Sequence, residues 1–147
     1  MQTDKRSKVI FWSVTLLFAV PMALAGIGEL IGLQAGVTIL EQLGYPRYLL
    51  IFLGLAKLLG VAALLAGTYP RLKEWAYAGF TFTLLGACYS HLASGQILNA
   101  LNPIAIGIVG AASYLVWRRQ IDLVDTSGAV QGHQAQRIAA GRRKEAV

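Results

Sequence analysis

Charged side chains are scarce in this sequence. They make up 14% of its 147 residues, while hydrophobic residues make up 56%. A soluble domain of this size carries about 25% charged residues, which cover its surface. This chain has too few polar side chains to do so, which excludes an ordinary soluble domain. The composition predicts an integral membrane protein, and the length allows one domain of three to five helices.

The residues that build common catalytic and metal sites are also few. The single cysteine, Cys88, excludes an intrachain disulfide and makes a cysteine-built metal site implausible. His91 is the only histidine in an apolar segment, since His133 lies in the polar tail, which excludes a pair of histidine haem ligands within the chain. No nucleotide-binding glycine loop, CxxC or HExxH motif is present. We therefore expect no metal site, and whether the chain is an enzyme stays open.

Acidic residues are outnumbered by basic ones, with 7 Asp and Glu against 13 Lys and Arg. The basic residues flank apolar segments instead of lining one face, which argues against a nucleic-acid partner. If the chain crosses a membrane four times, all of them except Arg47 and Lys57 fall on one side. Positive charge marks the cytoplasmic side of a membrane protein. We expect both termini to be cytoplasmic at a bacterial inner membrane, with anionic lipid as a partner at that face.

Four apolar segments follow one another with short polar stretches between them. They are residues 9–33, 48–65, 74–93 and 103–116, the last with Pro103 in its first turn. They predict an all-α integral membrane protein, a four-helix up-down bundle. The predicted parts are a basic leader at 1–8, a transmembrane domain at 9–119 and a mobile basic cytoplasmic tail at 120–147. The first segment also contains a possible signal-peptidase site, but it continues well beyond that site, which favours a retained helix.

The stretch between the first two segments has its own periodicity. Val37, Leu40 and Leu43 recur at helical spacing among polar residues, and Gly44 is typical of a helix end. This pattern predicts a short amphipathic helix between helices 1 and 2, which either lies on the membrane or caps the bundle.

Lys57 lies near the middle of the second apolar segment, where a lysine costs on the order of 3 kcal/mol. Glu29 lies near the outer end of the first segment. Because side chains tilt toward the N-terminus of their own helix, the two tips can meet in the outer half of the bundle. An intramembrane acid–base pair is a functional-site hypothesis. The alternative is that Lys57 snorkels outward, with Glu29 at the lipid headgroups.

The sequence predicts that further polar residues belong to the same outer pocket. Tyr77, Cys88 and His91 lie on one stripe of the third segment, and Asn102 lies at the entrance of the fourth. The predicted ligand-binding set is Glu29, Lys57, His91, Tyr77, Cys88 and Asn102. Each of the stripe residues also has a simpler interpretation: a solvated histidine, a packed cysteine and an interfacial tyrosine.

Several short motifs in the chain match a known family. They are Leu43-Gly44-Tyr45-Pro46, Ala56-Lys57-Leu58-Leu59-Gly60, the run PRLKEWAYAGF at 70–80, and Ser90-His91-Leu92. In these motifs the chain resembles the DoxX-like family of small four-helix membrane proteins, over about residues 9–119.

The resemblance implies a redox context. Relatives include membrane subunits of thiosulfate–quinone oxidoreductase, and others are linked to redox and thiol-stress complexes. That branch has a basic residue on its first helix and an acidic one on its second, whereas Glu29 and Lys57 have the reverse order. Thiosulfate oxidation by these relatives is therefore not transferred to this chain as an expected activity. We expect a redox-associated membrane subunit that binds a quinone or similar lipophile, with no other cofactor evident.

Two other functions fit the same sequence. One is a non-enzymatic membrane anchor or assembly factor that binds a protein partner or a second copy of itself. Its interfaces would be small-residue faces, Gly28 with Gly32 and Gly107 with Ala111. The other is a small transporter or proton path, which is disfavoured because the sequence has no pair of discontinuous helices.

Overall fold

The computed structural model describes the backbone of residues 2–66 and 69–145, and the side chains of 5–66 and 69–122. All regular structure in these ranges is α-helical: α1 (Gln2–Leu30), α2 (Gln34–Gln42), α3 (Tyr48–Leu65), α4 (Pro70–Ala93) and α5 (Ile97–Glu145). The chain divides into two compact units, Met1–Tyr114 and Leu115–Val147. The first unit contains α1 to α4 and the beginning of α5, and the second contains the rest of α5. The expected all-α class is confirmed.

The helix bounds of α1, α4 and α5 differ from the sequence prediction. α4 begins at Pro70, four residues before the predicted start. α1 begins at Gln2 and takes in the leader. α5 begins at Ile97, so Pro103 is its seventh residue and not part of its first turn. Gly95, with a φ of 73°, reverses the chain so tightly that α5 starts at once. The predicted tail at 120–147 continues α5 as far as Glu145. Its mobility stays a prediction, and its last two residues lie outside the described part.

The amphipathic helix predicted between the first two apolar segments is confirmed as α2. Gly32 and Gly44, with φ values of 66° and 77°, turn the chain on either side of it. Val37 and Leu40 are buried against Leu50 of α3. The apolar face of α2 therefore packs on α3, as expected of a capping helix; contact of α2 with the membrane surface stays a prediction.

Small residues set the closest contacts between helices. A Cβ atom added to Gly54 of α3 would lie 2.7 Å from the carbonyl oxygen of Gly26 of α1, so the two backbones almost touch. The predicted face of Gly28 and Gly32 is not used in this way. Gly28 contacts Leu33, and Gly32 turns the chain after α1.

Within the described residues, three helical segments are long and apolar enough to cross a membrane: Lys5–Leu30, Tyr48–Leu65 and Ile97–Asp122. Their outward faces are hydrocarbon, as expected of a surface in contact with lipid. α4 is absent from this set because polar residues interrupt its apolar sequence. The crossing by α4, and with it the four-helix bundle, stays a prediction.

Candidate ligand-binding site

The structure brings Glu29 and Lys57 together. The Nζ atom of Lys57 donates a hydrogen bond to Oε1 of Glu29, and each side chain is only 14% exposed. The second carboxylate oxygen of Glu29, Oε2, is buried and has no hydrogen-bond partner among the described side chains. A buried ion pair with an unsatisfied oxygen is costly, so this pair depends on close contact between its two members.

The surroundings of the pair come from α1, α2, α3 and α4. The Cβ atom of Lys57 lies 3.2 Å from the position that a Cβ on Gly26 would occupy, beside the α1–α3 crossing. The Cγ atom of Glu29 lies 4.0 Å from the corresponding position on Gly36 of α2. On its other side Lys57 lines a small cavity of about 200 Å³ with residues of α3 and α4. The pair therefore links α1 to α3 at a densely packed point.

A larger cavity, of about 790 Å³, lies between α4 and the first part of α5. We call it the α4–α5 cleft. Small residues on α5 make room for it: a Cβ on Gly107 would meet only Leu84, at 3.9 Å. Its lining is mostly apolar and consists of Phe18, Glu74, Tyr77, Ala78, Thr81, Leu84, Leu85, Cys88, Pro103, Ile104, Gly107, Ile108, Gly110, Ala111 and Tyr114.

Three buried hydroxyl groups are joined at one wall of the α4–α5 cleft. The hydroxyl of Ser113 lies 2.8 Å from that of Tyr77 and 3.1 Å from that of Thr15. All three residues are at most 7% exposed. We call this group the hydroxyl chain. It links α1, α4 and α5. Tyr77 lines the cleft, whereas Thr15 and Ser113 are not among its lining residues.

Aromatic rings surround the hydroxyl chain. The ring of Tyr77 is stacked at 6.4 Å from Phe18 and lies edge-on to Tyr114 at 5.3 Å. Phe18 also packs edge-on against Phe80, and its ring lies against Gly110 of α5. These are ordinary geometries for aromatic pairs, and they fix the orientation of Tyr77.

A separate polar cluster lies at the C-terminal end of α4. His91 is 8% exposed, and its Nδ1 atom lies 3.1 Å from Oε1 of Gln96. Because an amide oxygen accepts, Nδ1 is the donor of this hydrogen bond. Asn99 donates to the same oxygen. Nearby, Tyr45 donates to the hydroxyl of Ser90, which itself donates to the carbonyl of Gly86. These bonds hold the turns at this end of the molecule.

Comparison with known proteins identifies a family for most of the chain. The family model described as the DoxX-like family matches residues 13–113. This chain belongs to the DoxX-like family. The matched range includes the Glu29–Lys57 pair, the hydroxyl chain and almost all of the α4–α5 cleft. No curated protein and no solved structure matches it.

The predicted ligand-binding residues of this DoxX-like protein fall into separate places. Glu29 and Lys57 form the ion pair, Tyr77 and Cys88 line the α4–α5 cleft, and His91 belongs to the cluster at the end of α4. Asn102 is exposed on α5. Tyr77 and His91 share a face of α4, but fourteen residues separate them, or about 21 Å along a helix. The structure therefore does not gather the six residues into a single pocket.

Sequence reasoning missed several residues that shape the cleft. Among the side chains that the structure describes, Thr15 and Ser113 are the least exposed polar ones in this DoxX-like protein, and Phe18 is only 1% exposed. Ser and Thr are common in membrane helices, so they carry little signal on their own. The small residues at 107, 110 and 111 were a usable signal, because they leave room on one face of a helix.

The described side chains of this DoxX-like protein contain no group of three or more His, Cys, Asp and Glu residues that could hold a metal ion.

Proposed function

We propose that this DoxX-like protein crosses the membrane four times, with α1, α3, α4 and α5 as an up-down bundle. Three contacts support an antiparallel arrangement of neighbours: Gly26 with Gly54, Gly60 with Phe80, and Tyr77 with Ser113. The polar residues that lower the hydropathy of α4 include Tyr77, Ser90 and His91, which are buried and therefore do not face lipid. The positive charge at both termini assigns them to the cytoplasmic side of a bacterial inner membrane.

Within this bundle the α4–α5 cleft binds a quinone or similar lipophile, and the protein acts as a redox-associated membrane subunit. The observation that carries this proposal is the cleft itself. Its volume of about 790 Å³ is in the range of small-molecule sites, and its lining is apolar with a few polar groups. Hydrocarbon walls favour a lipophilic molecule that enters from the bilayer.

The hydroxyl chain gives the cleft its chemistry. A phenol can donate a hydrogen bond to a carbonyl oxygen or accept one from a hydroxyl group, so Tyr77 fits both an oxidised and a reduced quinone. Ser113 and Thr15 anchor the Tyr77 hydroxyl and can reverse the direction of their hydrogen bonds as the ligand changes. The proposed roles of Cys88 and Tyr77 in ligand binding are thus retained, as residues of this cleft.

The role of the Glu29–Lys57 pair changes in this proposal. Lys57 donates to Glu29, and neither residue lines the α4–α5 cleft. The pair holds α1 against α3 and does not bind the carbonyl oxygens of a quinone. His91 likewise holds the turn between α4 and α5 through Gln96.

Native mass spectrometry with lipid extraction, on protein released gently from membranes, tests the proposal. The informative variant is Gly107→Leu, because Gly107 faces open space in the cleft and a larger side chain there fills it. The matched control is Gly86→Leu, also on a helix and in open space but outside the lining. We expect a stoichiometric quinone in the wild type and the control, and its loss in Gly107→Leu. A wild-type protein free of any such lipophile would contradict the proposal.

A second candidate is the non-enzymatic anchor or assembly factor. The observation in its favour is that Glu29 and Lys57 balance each other's charge and serve as a structural ion pair. The interface predicted at Gly107 and Ala111 does not support it, because both residues line the cleft. Copurification of a soluble partner with wild-type protein that contains no lipophile would favour this candidate.

A further inference from the structure

The two ends of the α4–α5 cleft differ in chemistry. At one end it is lined by Glu74, Tyr77 and Tyr114, and at the other by Cys88, Pro103 and Ile104. Glu74 and Cys88 are fourteen residues apart on α4, which corresponds to about 21 Å along the helix. In the proposed topology the first end is the cytoplasmic end and the second the outer end. The cleft is therefore long and has a direction.

The cytoplasmic end is aromatic and polar. The rings of Tyr77 and Tyr114 meet edge-on there, and Phe18 stacks on the other side of Tyr77. The hydroxyl of Tyr77 is held by Ser113, so its position is fixed before any ligand arrives. Aromatic faces favour a planar ring as the neighbour, and phenol oxygens favour ring substituents that form hydrogen bonds.

The remainder of the cleft is hydrocarbon. Between the aromatic end and Cys88 its walls are formed by Leu84, Leu85 and Ile108, with Gly107 leaving space between the helices. Thr81 lies in this part, but its hydroxyl donates to the carbonyl of Tyr77 in its own helix. An extended apolar tail matches this section, and a polar head does not.

We infer that the cleft takes an amphiphile in one orientation, with an oxygen-substituted planar ring at the Tyr77–Tyr114 end and a hydrocarbon tail toward Cys88. This inference rests on the proposed function and adds the direction in which the ligand lies. It moves the ring from the outer half of the bundle, where the sequence prediction had it, to the cytoplasmic half.

The test uses two photoreactive probes on wild-type protein in nanodiscs. Each is a benzoquinone with a decyl tail, one with a diazirine on the ring and the other with a diazirine at the tail end. We expect the ring probe to label peptides around residues 74–77 and 111–114, and the tail probe to label those around 84–88 and 103–108. The reverse pattern would overturn the inferred orientation and leave the proposed function standing. Labelling only outside the cleft would contradict the proposed function itself.

Variants and a competitor separate the ring from the tail. Gly107→Leu should reduce labelling by both probes about tenfold, whereas Gly86→Leu should not change it. Tyr77→Phe should weaken binding of the ring probe by about two- to tenfold, the value of one hydrogen bond. An alkyl amphiphile of the same length without a ring should compete poorly. If it displaces the ring probe as well as the unlabelled quinone does, the cleft holds any lipid chain and the inferred ligand class is wrong.

Discussion

Lys57 is the residue whose environment most clearly needs explanation. An ammonium group in an apolar helix is stable only with a partner, and the carboxylate of Glu29 is that partner. Oε2 of Glu29 has no hydrogen-bond partner in the described part of the chain, so removing Lys57 would leave a buried carboxylate without compensation. The pair is therefore a point where single substitutions are more harmful than a combined one.

A double-mutant cycle measures this coupling. Lys57→Met and Glu29→Gln should each lower the free energy of unfolding by about 3 kcal/mol, because each leaves its partner buried without compensation. The double variant should recover part of the loss. The measurement is reversible denaturation in detergent micelles.

The exposed ion pair between Arg47 and Glu41 is the control for this cycle. Its side chains are 68% and 53% exposed, so Arg47→Met should cost at most about 1 kcal/mol. Strictly additive losses for Lys57→Met and Glu29→Gln would show that the two side chains do not interact.

A second prediction for single residues concerns the hydroxyl chain. Ser113→Ala removes the group that bonds both Tyr77 and Thr15, so it should lower the free energy of unfolding by about 1 to 3 kcal/mol. In the control, Thr83→Ala, the lost hydroxyl bonds only the carbonyl of Gly79 in its own helix. That change should stay within about 0.5 kcal/mol. Equal effects in the same denaturation assay would mean that the chain does not join the helices.

At the scale of helices, the α1–α3 crossing decides the position of the ion pair. Gly54→Ala places a methyl group 2.7 Å from a backbone oxygen of α1, so the helices must separate. We expect a loss of about 1 to 3 kcal/mol in the free energy of unfolding. Gly79→Ala, where no atom lies within 4 Å, is the control and should be neutral or slightly stabilising. If both variants unfold alike, the backbones do not approach as closely as described.

The helices themselves were largely predictable from sequence, because apolar run length and glycine turns are local signals. The bounds of α3 agree with its apolar run, and α2 agrees with its periodicity. The Glu29–Lys57 contact was also predictable, since a charge in an apolar helix needs a neighbour. The separation of the six candidate site residues into different places was not predictable. The stripe from Tyr77 to His91 gave a shared face of α4 but ignored the distance along the helix.

The small residues of α5 indicate an open helix face, but the position of the cleft between α4 and α5 was unpredictable for a different reason. It exists because Gly107, Gly110 and Ala111 of α5 lie opposite α4, and no feature of α5 alone reveals which helix it faces. The hydroxyl chain depends on the same arrangement, since Thr15 and Ser113 lie 98 positions apart in sequence. Long-range contacts of small residues leave no periodic signal in a single sequence.

For the molecule as a whole, the path of α4 through the membrane is the decisive question. α4 carries one wall of the cleft, yet its apolar sequence is interrupted by polar residues. Burial of Tyr77, Ser90 and His91 removes much of that polarity from the lipid-facing surface. A helix whose polar residues are buried against neighbouring helices can cross a bilayer despite a modest mean hydropathy.

The crossing predicts which ends of α4 are reachable from each side of the membrane. Replacing Cys88 with alanine gives a background without thiols, since it is the only cysteine. Tyr69→Cys and Ser94→Cys then place single thiols at exposed positions beside the two ends of α4. A membrane-impermeant maleimide should label Ser94→Cys in spheroplasts and Tyr69→Cys in inside-out vesicles, because the positive-inside rule predicts that the N-terminal end of α4, with Arg71 and Lys73, faces the cytoplasm. Labelling of both variants from the same side would show that α4 does not cross, and the cleft would then be an interfacial site. The opposite pattern would keep the four crossings but place the aromatic end of the cleft, with Tyr77 and Tyr114, at the outer face.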